Sequence, residues 1–237
     1  MSTCEYGLCD GSGFIVDEET RSTSDCRCRP ARISARRVRR LEGQIPKRYR
    51  EMSFESSEVI DIERRCGAQV RELRSYVAAI ERNLDQGSGL WLTGGFGTGK
   101  TALAMIASRS AIDAGRAVAI YSCPRLLAVL RDAIDRGEVL DFLDRLAAVD
   151  LLHIDDLGAE RATDWVIEQL YCVINARYEE ERSIIVTSNL DRDQLSAQIG
   201  ERIVSRLEGM CEMLPFYGED ARRVSYPAEL RPAVGGS

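Results

Sequence analysis

Lysine, histidine and long apolar runs are scarce in this sequence of 237 residues. Its two lysines are Lys47 and Lys100, against 30 arginines, and His153 is its one histidine. Because arginine serves at almost every cationic position, a retained lysine indicates a site that needs a compact ammonium group. No apolar run approaches the ~18 residues of a membrane-spanning helix, so we expect no contact with a membrane.

The first ten residues also lack a basic stretch followed by an apolar core, the pattern of a secretory signal. We therefore expect a cytoplasmic protein, in which the eight cysteines are reduced thiols or metal ligands rather than disulfides. Four of them are scattered singly and are predicted to be small core residues: Cys66, Cys123, Cys172 and Cys211.

Charge divides the chain into three parts. Residues 1–28 are acidic, rich in cysteine, glycine and serine, and too poor in apolar residues to form a core. Residues 29–50 hold eight arginines, one lysine and one glutamate, a net charge of +8. This basic linker could bind a nucleic-acid backbone, screen the acidic remainder or contact an acidic partner. Its single aromatic residue, Tyr49, argues against base stacking. Residues 51–237 are predicted to form the main domain.

The hydrophobic pattern changes after residue 51. Residues 59–84 have apolar residues at helical spacing and predict one helix, which the glycines at 87 and 89 end. Beyond it, short apolar runs that suit buried strands alternate with helical patterns. The predicted strands are 90–92, 117–121, 151–154, 183–187 and 210–216. This alternation predicts an α/β fold in which helices flank a parallel sheet.

A glycine-rich turn joins the first of these strands to the next helix. Residues 94–101 read Gly-Gly-Phe-Gly-Thr-Gly-Lys-Thr and fit the phosphate-loop pattern G-x-x-x-x-G-K-[ST] in its strand-to-helix context. Glycines let backbone N–H groups close around phosphate oxygens, Lys100 can reach the β- and γ-phosphates, and the Thr101 hydroxyl can bind Mg²⁺. The predicted nucleotide-binding residues are Gly94, Gly95, Phe96, Gly97, Thr98, Gly99, Lys100, Thr101 and Ala102.

Two further strand ends carry polar side chains. Asp155 and Asp156 follow the run 151–154, at the edge where open α/β sheets bind ligands. Asp155 is the candidate for holding Mg²⁺ through water and Asp156 for polarising the attacking water, although aspartate is also common in strand-end turns. Asn189, after the next strand, could orient that water or contact the γ-phosphate, or it could cap the following helix. His153 lies inside a strand and is predicted to be a core residue rather than a catalytic one.

Four cysteines form two close pairs near the N-terminus, Cys4 with Cys9 and Cys26 with Cys28. Four thiolates suit a closed tetrahedral zinc site, and a short segment without a core gains folding energy from such a site. The spacing is not the commonest Cys-x₂-Cys pair, so four unconnected reduced cysteines are the alternative. We predict a zinc-binding module in residues 1–28.

Together these segments resemble the AAA+ ATPases, and more closely the DnaC/DnaI-type replicative helicase loaders. The resemblance covers most of residues 44–223, and its more specific parts are Asp-Asp-Leu-Gly-Ala-Glu at 155–160 and Thr-Ser-Asn-Leu at 187–190. It implies a AAA+ phosphate-loop fold for residues 51–237. Some DnaI-like loaders also carry an N-terminal zinc module that docks on the helicase, and the cysteine pairs are similar to it.

The resemblance also implies roles for individual residues. Asn189 would be the sensor 1 residue, and Arg206 the arginine finger for the ATP of a neighbouring subunit, with Arg202 as the alternative. Arg222 would be the sensor 2-like arginine. A finger implies ATP-dependent self-assembly. Many AAA+ ATPases have Asp-Glu where this chain has Asp155-Asp156, and the shorter second side chain predicts slow hydrolysis that a partner or DNA stimulates.

The implied function is that of an ATP-dependent loader, which binds the hexameric replicative helicase and delivers it onto single-stranded DNA. The expected cofactors are ATP, Mg²⁺ and Zn²⁺. Two alternatives stay open. One is an IstB-type transposition ATPase, which shares much of this core, and the other is a zinc-anchored adaptor that uses ATP only as a binding switch. A small-molecule kinase would explain neither the Thr-Ser-Asn strand end nor the cysteine pairs.

Overall fold

The computed structural model describes residues 4, 6–10, 12, 14–17, 22–28 and 45–218. Arg222 and most of the basic linker lie outside these residues, so their predicted roles stay predictions. The division of the chain at residues 28 and 50 also stays a prediction. The N-terminal part contains two antiparallel strands, β1 (Phe14–Asp17) and β2 (Ser22–Asp25), whose ends pair Phe14 with Asp25.

Five parallel strands form the main sheet, as the alternating pattern predicts. They are β3 (Gly89–Gly94), β4 (Val118–Ser122), β5 (Leu151–Asp155), β6 (Ser183–Ser188) and β7 (Cys211–Phe216). Their spatial order is β4-β5-β6-β3-β7, so β3 lies between two strands that follow it in the chain. Leu92 of β3 is level with Thr187 of β6 and with Leu214 of β7. The ends of β3, β5 and β6 are therefore neighbours at one side of the sheet, the carboxyl edge, where such sheets bind ligands.

Helices cover both faces of this sheet within the described residues. They are α1 (Ser57–Arg65), α2 (Gly67–Ala78), α3 (Ile80–Asp85), α4 (Lys100–Asp113), α5 (Cys123–Asp135), α6 (Val139–Ala148), α7 (Asp164–Glu179), α8 (Arg192–Ile199) and α9 (Glu201–Met210). Trp91 of β3 packs with α5 to α9, whereas Leu90 and Leu92 pack with α1 to α4. Successive side chains of a strand point to opposite faces, and burial of both faces explains the continuous apolar runs.

The single helix predicted for residues 59–84 is wrong, because this segment contains the three helices α1 to α3. The backbone leaves helical geometry at Cys66 (φ −131°, ψ 50°) and again at Ala79 (φ −111°, ψ 27°). The apolar residues nevertheless share one buried cluster across both breaks: Val59, Ile62, Val70, Leu73 and Ile80. Periodicity therefore identifies the buried face but not a local turn that keeps this face inward.

The isolated cysteines differ in their surroundings. Cys66 and Cys123 are buried, as predicted, and Cys211 is partly buried. The core position predicted for Cys172 is wrong, because this residue is exposed on α7. Its neighbour Val173 is buried, and each step along a helix turns the side chain by about 100°. No helix within the described ranges is long and apolar enough to cross a bilayer.

Candidate nucleotide site

Two glycines let the turn between β3 and α4 pack closely against neighbouring elements. Gly94 has a φ of +136°, and a Cβ at this position would lie 2.0 Å from the carbonyl oxygen of Phe216 on β7. Gly99, which precedes α4, has a φ of +96°, and a Cβ there would lie 2.1 Å from Cδ1 of Ile62 on α1. A larger residue at Gly94 would push the backbone of β7 away, whereas one at Gly99 would displace the Ile62 side chain and strain a backbone with positive φ.

Lys100 is a buried cation at this turn, with 5% of its surface exposed. Its ammonium Nζ donates to the carbonyl oxygens of Gly94 and Gly95 at 2.7 Å each, and to Oδ1 of Asn189 at 2.9 Å. The Thr98 hydroxyl donates to the Gly95 carbonyl at 2.9 Å, which closes the turn further. These acceptors are neutral oxygens, and a phosphate anion would bind the ammonium more strongly.

Asp155, at the end of β5, faces the first turn of α4. Its Oδ1 accepts hydrogen bonds from the Thr101 hydroxyl at 2.9 Å and from the Thr187 hydroxyl at 2.7 Å. The two predicted Mg²⁺ ligands are thus adjacent, and both offer the hard oxygen atoms that Mg²⁺ prefers. Sequence analysis did not identify Thr187 as a site residue. The sequence feature that could have identified Thr187 is a hydroxyl side chain near the end of a mostly apolar strand.

Asp156 connects the ends of β5 and β6. Its backbone is left-handed, with a φ of +58°, a conformation that aspartate adopts more readily than most side chains. Its N–H donates to the Thr187 hydroxyl at 2.9 Å, and its Oδ1 accepts from Nδ2 of Asn189 at 3.1 Å. Since Oδ1 of Asn189 accepts from Lys100, this amide joins the loop lysine to the second aspartate. The side chain that caps α8 is Asp191, so Asn189 is not the helix cap.

His153 lies in the middle of β5 and is fully buried, so its predicted core position is confirmed. Its Nδ1 is 2.9 Å from the Ser108 hydroxyl on α4. Its Nε2 lies 4.0 Å from Oδ1 of Asp155 and has no hydrogen-bond partner among the described residues. Burial lowers the pKa of the imidazole to about 3, so the ring is neutral at pH 7.

A cavity of about 1000 Å³ opens beside the phosphate loop. This volume suits a nucleotide, and the lining offers apolar surface for a base together with polar groups for phosphates. Tyr49 belongs to the stretch 45–49 that resembles the helicase loaders, but sequence analysis identified neither Tyr49 nor Met52 as a site residue. A single helical turn at Lys47–Tyr49 brings this segment to the cavity. The lining includes Tyr49, Met52, Ile62, Phe96, Lys100, Thr101, Asp156 and Asn189.

Arg206, on α9, packs against α7 of its own chain. Its Nε donates to Oδ1 of Asn175, and its guanidinium carbon lies 5.4 Å from the ring centroids of both Tyr171 and Tyr178. Arg202, about one turn earlier on α9, is exposed. Neither arginine lines the cavity at the phosphate loop, which is consistent with action on another subunit. The finger role of Arg206 or Arg202 stays a prediction.

The four N-terminal cysteines come together beside β1 and β2. The Sγ atoms of Cys4, Cys9, Cys26 and Cys28 all lie within 4.8 Å of one another. The distance is 3.7 Å between Cys4 and Cys26 and 3.5 Å between Cys9 and Cys28. Sulfurs of a tetrahedral zinc site, with Zn–S bonds of about 2.3 Å, are about 3.8 Å apart. The structure therefore brings together the four thiols that the sequence predicts as ligands.

Thiols at this spacing change one another's acidity. Partial burial raises the pKa of Cys4, but N–H groups in the turn at residues 6–9 outweigh it and lower that pKa to about 6. Burial and the neighbouring sulfurs raise the pKa of Cys28 to about 12. Deprotonation of Cys28 near pH 7 therefore needs a cation among the sulfurs.

Sequence comparison assigns the chain to a family. A profile described as IstB-like ATP binding protein matches residues 30–225. The chain belongs to this family. The matched residues include the whole phosphate loop and both strand ends of the site. The geometry at the carboxyl edge therefore agrees with an ATP-binding AAA+ ATPase fold.

Two individual proteins and a solved structure are also similar to this chain. The phage-like element PBSX protein XkdC of Bacillus subtilis (strain 168) is 28% identical over 212 residues, 85% of this chain and 77% of that protein. A protein of insertion sequence IS1162 from Pseudomonas fluorescens is 33% identical over 178 residues, 75% of this chain and 70% of that protein. A crystal structure of the DnaC helicase loader matches with a TM-score of 0.62 at 26% identity, covering 73% of this chain and 100% of that chain. The α/β fold and the resemblance to helicase loaders are confirmed.

Proposed function

We propose that this protein is a Mg²⁺-dependent ATPase whose nucleotide state controls the loading of a hexameric replicative helicase onto single-stranded DNA. The ATPase part is supported by the hydrogen-bonded series Lys100–Asn189–Asp156 at the carboxyl edge. The loading part is supported by the similarity to the DnaC helicase loader and by the N-terminal cysteine cluster.

Lys100 is placed to exchange its present partners for phosphate. The carbonyl oxygens of Gly94 and Gly95 hold the ammonium now, and β- and γ-phosphate oxygens would displace them because an anionic oxygen attracts the ammonium more strongly than a neutral one does. When the ammonium turns to phosphate, Oδ1 of Asn189 loses a donor while its Nδ2 still holds Asp156. The amide thereby links the presence of the γ-phosphate to the orientation of the second aspartate.

Asp156 is the base that polarises the attacking water in this proposal. An Asp156→Asn variant keeps the oxygen that accepts from Asn189 but loses the basic carboxylate. It should bind ATP normally, but its rate of hydrolysis should be at least about 100-fold lower, as measured by phosphate release. If this variant still loaded helicase, the protein would be an adaptor that uses ATP only as a binding switch.

The side chains of Thr101 and Asp155 fit Mg²⁺, because they present oxygen atoms already within 2.9 Å of each other. Thr101 would hold the ion directly and Asp155 through water. The ion would neutralise charge on the β- and γ-phosphates. Thr187 fixes the orientation of Asp155 by its hydrogen bond to Oδ1.

The cysteine cluster is assigned to Zn²⁺ because its four sulfurs have the spacing of a tetrahedral site. Purified protein should contain about one zinc per chain by elemental analysis. A Cys26→Ser variant should lose this zinc, whereas Cys172→Ser, a change at an exposed single cysteine, should keep it. Zinc-free native protein would contradict the assignment.

The loader function is tested by co-elution with the host's replicative helicase, with and without a non-hydrolysable ATP analogue. A complex that depends on the nucleotide, and that Lys100→Ala abolishes, is the expected result. Cys26→Ser should weaken docking, while Cys172→Ser should leave it unchanged. Absence of a complex under every condition would contradict the loader function.

A transposition ATPase is the second candidate. The family profile bears the name of the IstB-like proteins, and one relative belongs to an insertion sequence. In this case the partner would be a transposase bound to target DNA. The same co-elution experiment with a transposase in place of the helicase distinguishes the two functions.

A further inference from the structure

His153 contains a buried polar atom that packing alone does not explain. The ring is 0% exposed, and its Nε2 has no hydrogen-bond partner within the described part of the chain. Such atoms are rare in folded proteins, because burial of an unsatisfied polar group lowers stability. The neighbours Leu152 and Ile154 show that β5 otherwise uses apolar side chains.

One side of the ring is fixed by α4. The buried Ser108 hydroxyl lies 2.9 Å from Nδ1, and Ser108 stands about two turns after Lys100 on the same helix. The Ser108–His153 contact therefore joins the helix that begins at the phosphate loop to the strand that ends at Asp155. A hydroxyl can donate to Nδ1 when the ring proton is on Nε2.

The other side of the ring faces the metal-binding aspartate. Nε2 lies 4.0 Å from Oδ1 of Asp155, which is too long for a hydrogen bond. At this range an N–H dipole is attracted to a carboxylate oxygen, whereas a bare nitrogen lone pair is repelled. The Asp155 carboxylate thus favours the tautomer with the proton on Nε2, and in this tautomer the Ser108 hydroxyl can donate to Nδ1.

We propose that His153 is a positioning residue for Asp155: its Nε2–H points at Oδ1 and, with Thr187, keeps that oxygen turned inward so that Oδ2 is left for the Mg²⁺ shell. The inference rests on the proposed binding of Mg²⁺ and ATP at Thr101 and Asp155. Residues that orient a metal ligand typically contribute about 10- to 100-fold to metal affinity. The 4.0 Å separation places the expected effect at the lower end, about 10-fold.

Because His153 is the chain's one histidine, nuclear magnetic resonance can observe it without ambiguity. Protein labelled with ¹⁵N-histidine should show the Nε2–H tautomer before nucleotide is added. The Nε2 resonance should then shift when Mg²⁺ is added to the ATP-bound protein. An Nδ1–H tautomer, or an Nε2 chemical shift that does not change when Mg²⁺ is added, would overturn the proposal.

Two substitutions provide a second test. Leucine at position 153 fills the space without a donor, whereas the amide of glutamine can place an N–H near the position of Nε2. In His153→Leu, the Mg²⁺ concentration that half-maximally tightens ATP binding should rise about 10-fold, and His153→Gln should recover most of this loss. ATP binding in chelator should be unchanged in both variants. An unchanged Mg²⁺ requirement in His153→Leu, or a glutamine variant no better than leucine, would contradict the role.

If His153→Leu does not fold, Ser108→Ala takes its place, with Ser110→Ala as the control on the same helix. Loss of the single tautomer and a smaller rise in the Mg²⁺ requirement are expected for Ser108→Ala only. Native behaviour in that variant would overturn the proposal. If Mg²⁺ did not change the affinity of the native protein for ATP, this result would contradict the proposed function instead. The tautomer of His153 in the nucleotide-free protein would still test the role of this residue.

Discussion

Lys100 and Arg177 are buried cations at opposite edges of the same sheet. Lys100 is 5% exposed at the carboxyl edge, and Arg177 is 0% exposed at the edge where β5 and β6 begin, the amino edge. Both donate to backbone carbonyl oxygens. The acceptors of Arg177 are Leu146, Val149, Asp150 and Ser183.

The two cations are both buried, but only Lys100 lines a cavity that a ligand can enter. The guanidinium of Arg177 joins the end of α6, the residues before β5 and the first residue of β6, which are fixed parts of the fold. Burial, and after it the nearby Arg182, lowers the pKa of Arg177 to about 9. Lys100 instead lines the large cavity, and its carbonyl partners belong to a glycine turn. A buried cation is structural where its acceptors are permanent and functional where a ligand can replace them.

Replacement of Arg177 should have the largest effect on stability. In Arg177→Met four carbonyl groups lose their donor in a buried site, and we expect a loss of about 3–5 kcal/mol in the free energy of unfolding. Urea unfolding measures this loss. Arg182→Met, which removes a cation 43% exposed, is the control and should remain close to native. A similar loss in both variants would show that the carbonyl contacts are not the cause.

The matching change at the carboxyl edge is Lys100→Met. It should lower ATP affinity by about 100-fold or more, since two charge-assisted hydrogen bonds to phosphate are lost. The melting temperature should fall much less than in Arg177→Met, because water in the cavity can donate to the carbonyl oxygens that lose the ammonium. Calorimetric titration and thermal unfolding give the two values. A melting temperature as low as that of Arg177→Met would mean that both cations are structural.

His153 adds a third buried base and predicts a pH dependence. Its folded pKa is about 3, below its unfolded value of about 6.5, so below pH 6.5 the unfolded state binds a proton that the folded state does not. Stability therefore falls as the pH falls through this window, and by pH 5 the loss is about 2 kcal/mol. Urea unfolding should show that, between pH 7.5 and pH 5, the free energy of unfolding falls by about 2 kcal/mol less in His153→Gln than in the native protein. Equal acid sensitivity in both proteins would contradict the buried neutral ring.

The smallest effect is expected at a partly buried cation on the surface. Arg192, on α8, forms ion pairs with Glu201 and Glu208 of α9, where solvent screens all three groups. Arg192→Ala should change the melting temperature by less than about 2 °C. A larger drop would show that this pair of helices depends on its ion pairs more than on the buried Leu195 and Val204.

The contrast between the two cations also shows what the sequence could predict. Lys100 was predictable from the phosphate-loop pattern, and Asp155 and Asn189 from their positions at the ends of buried strands, which a parallel sheet brings to one edge. Arg177 was not, because it is one of 30 arginines and its burial depends on α6, β5 and β6 meeting around it. The breaks at Cys66 and Ala79 were hidden for a related reason: the apolar pattern continues across them.

The wall of the cavity was only partly predictable. Tyr49 and Met52 precede the first long helix and are not part of the phosphate loop, so only the folded chain shows that they line the cavity. The hydrogen bonds of Thr187 to Asp155 and Asp156 likewise depend on the register between β5 and β6. Motifs therefore identified the phosphate side of the site, while the opposite wall came from packing.

The position of β7 has a consequence for synthesis of the protein. Gly94 lies against the carbonyl of Phe216, and the backbone of Tyr217 makes hydrogen bonds with the thiol of Cys66. A ribosome makes the phosphate loop more than a hundred residues before it makes β7 at Cys211–Phe216. The nascent chain thus carries the nucleotide motif long before it can form the nucleotide site. We therefore expect ATP to stabilise this protein fully only after β7 has emerged and packed against Gly94.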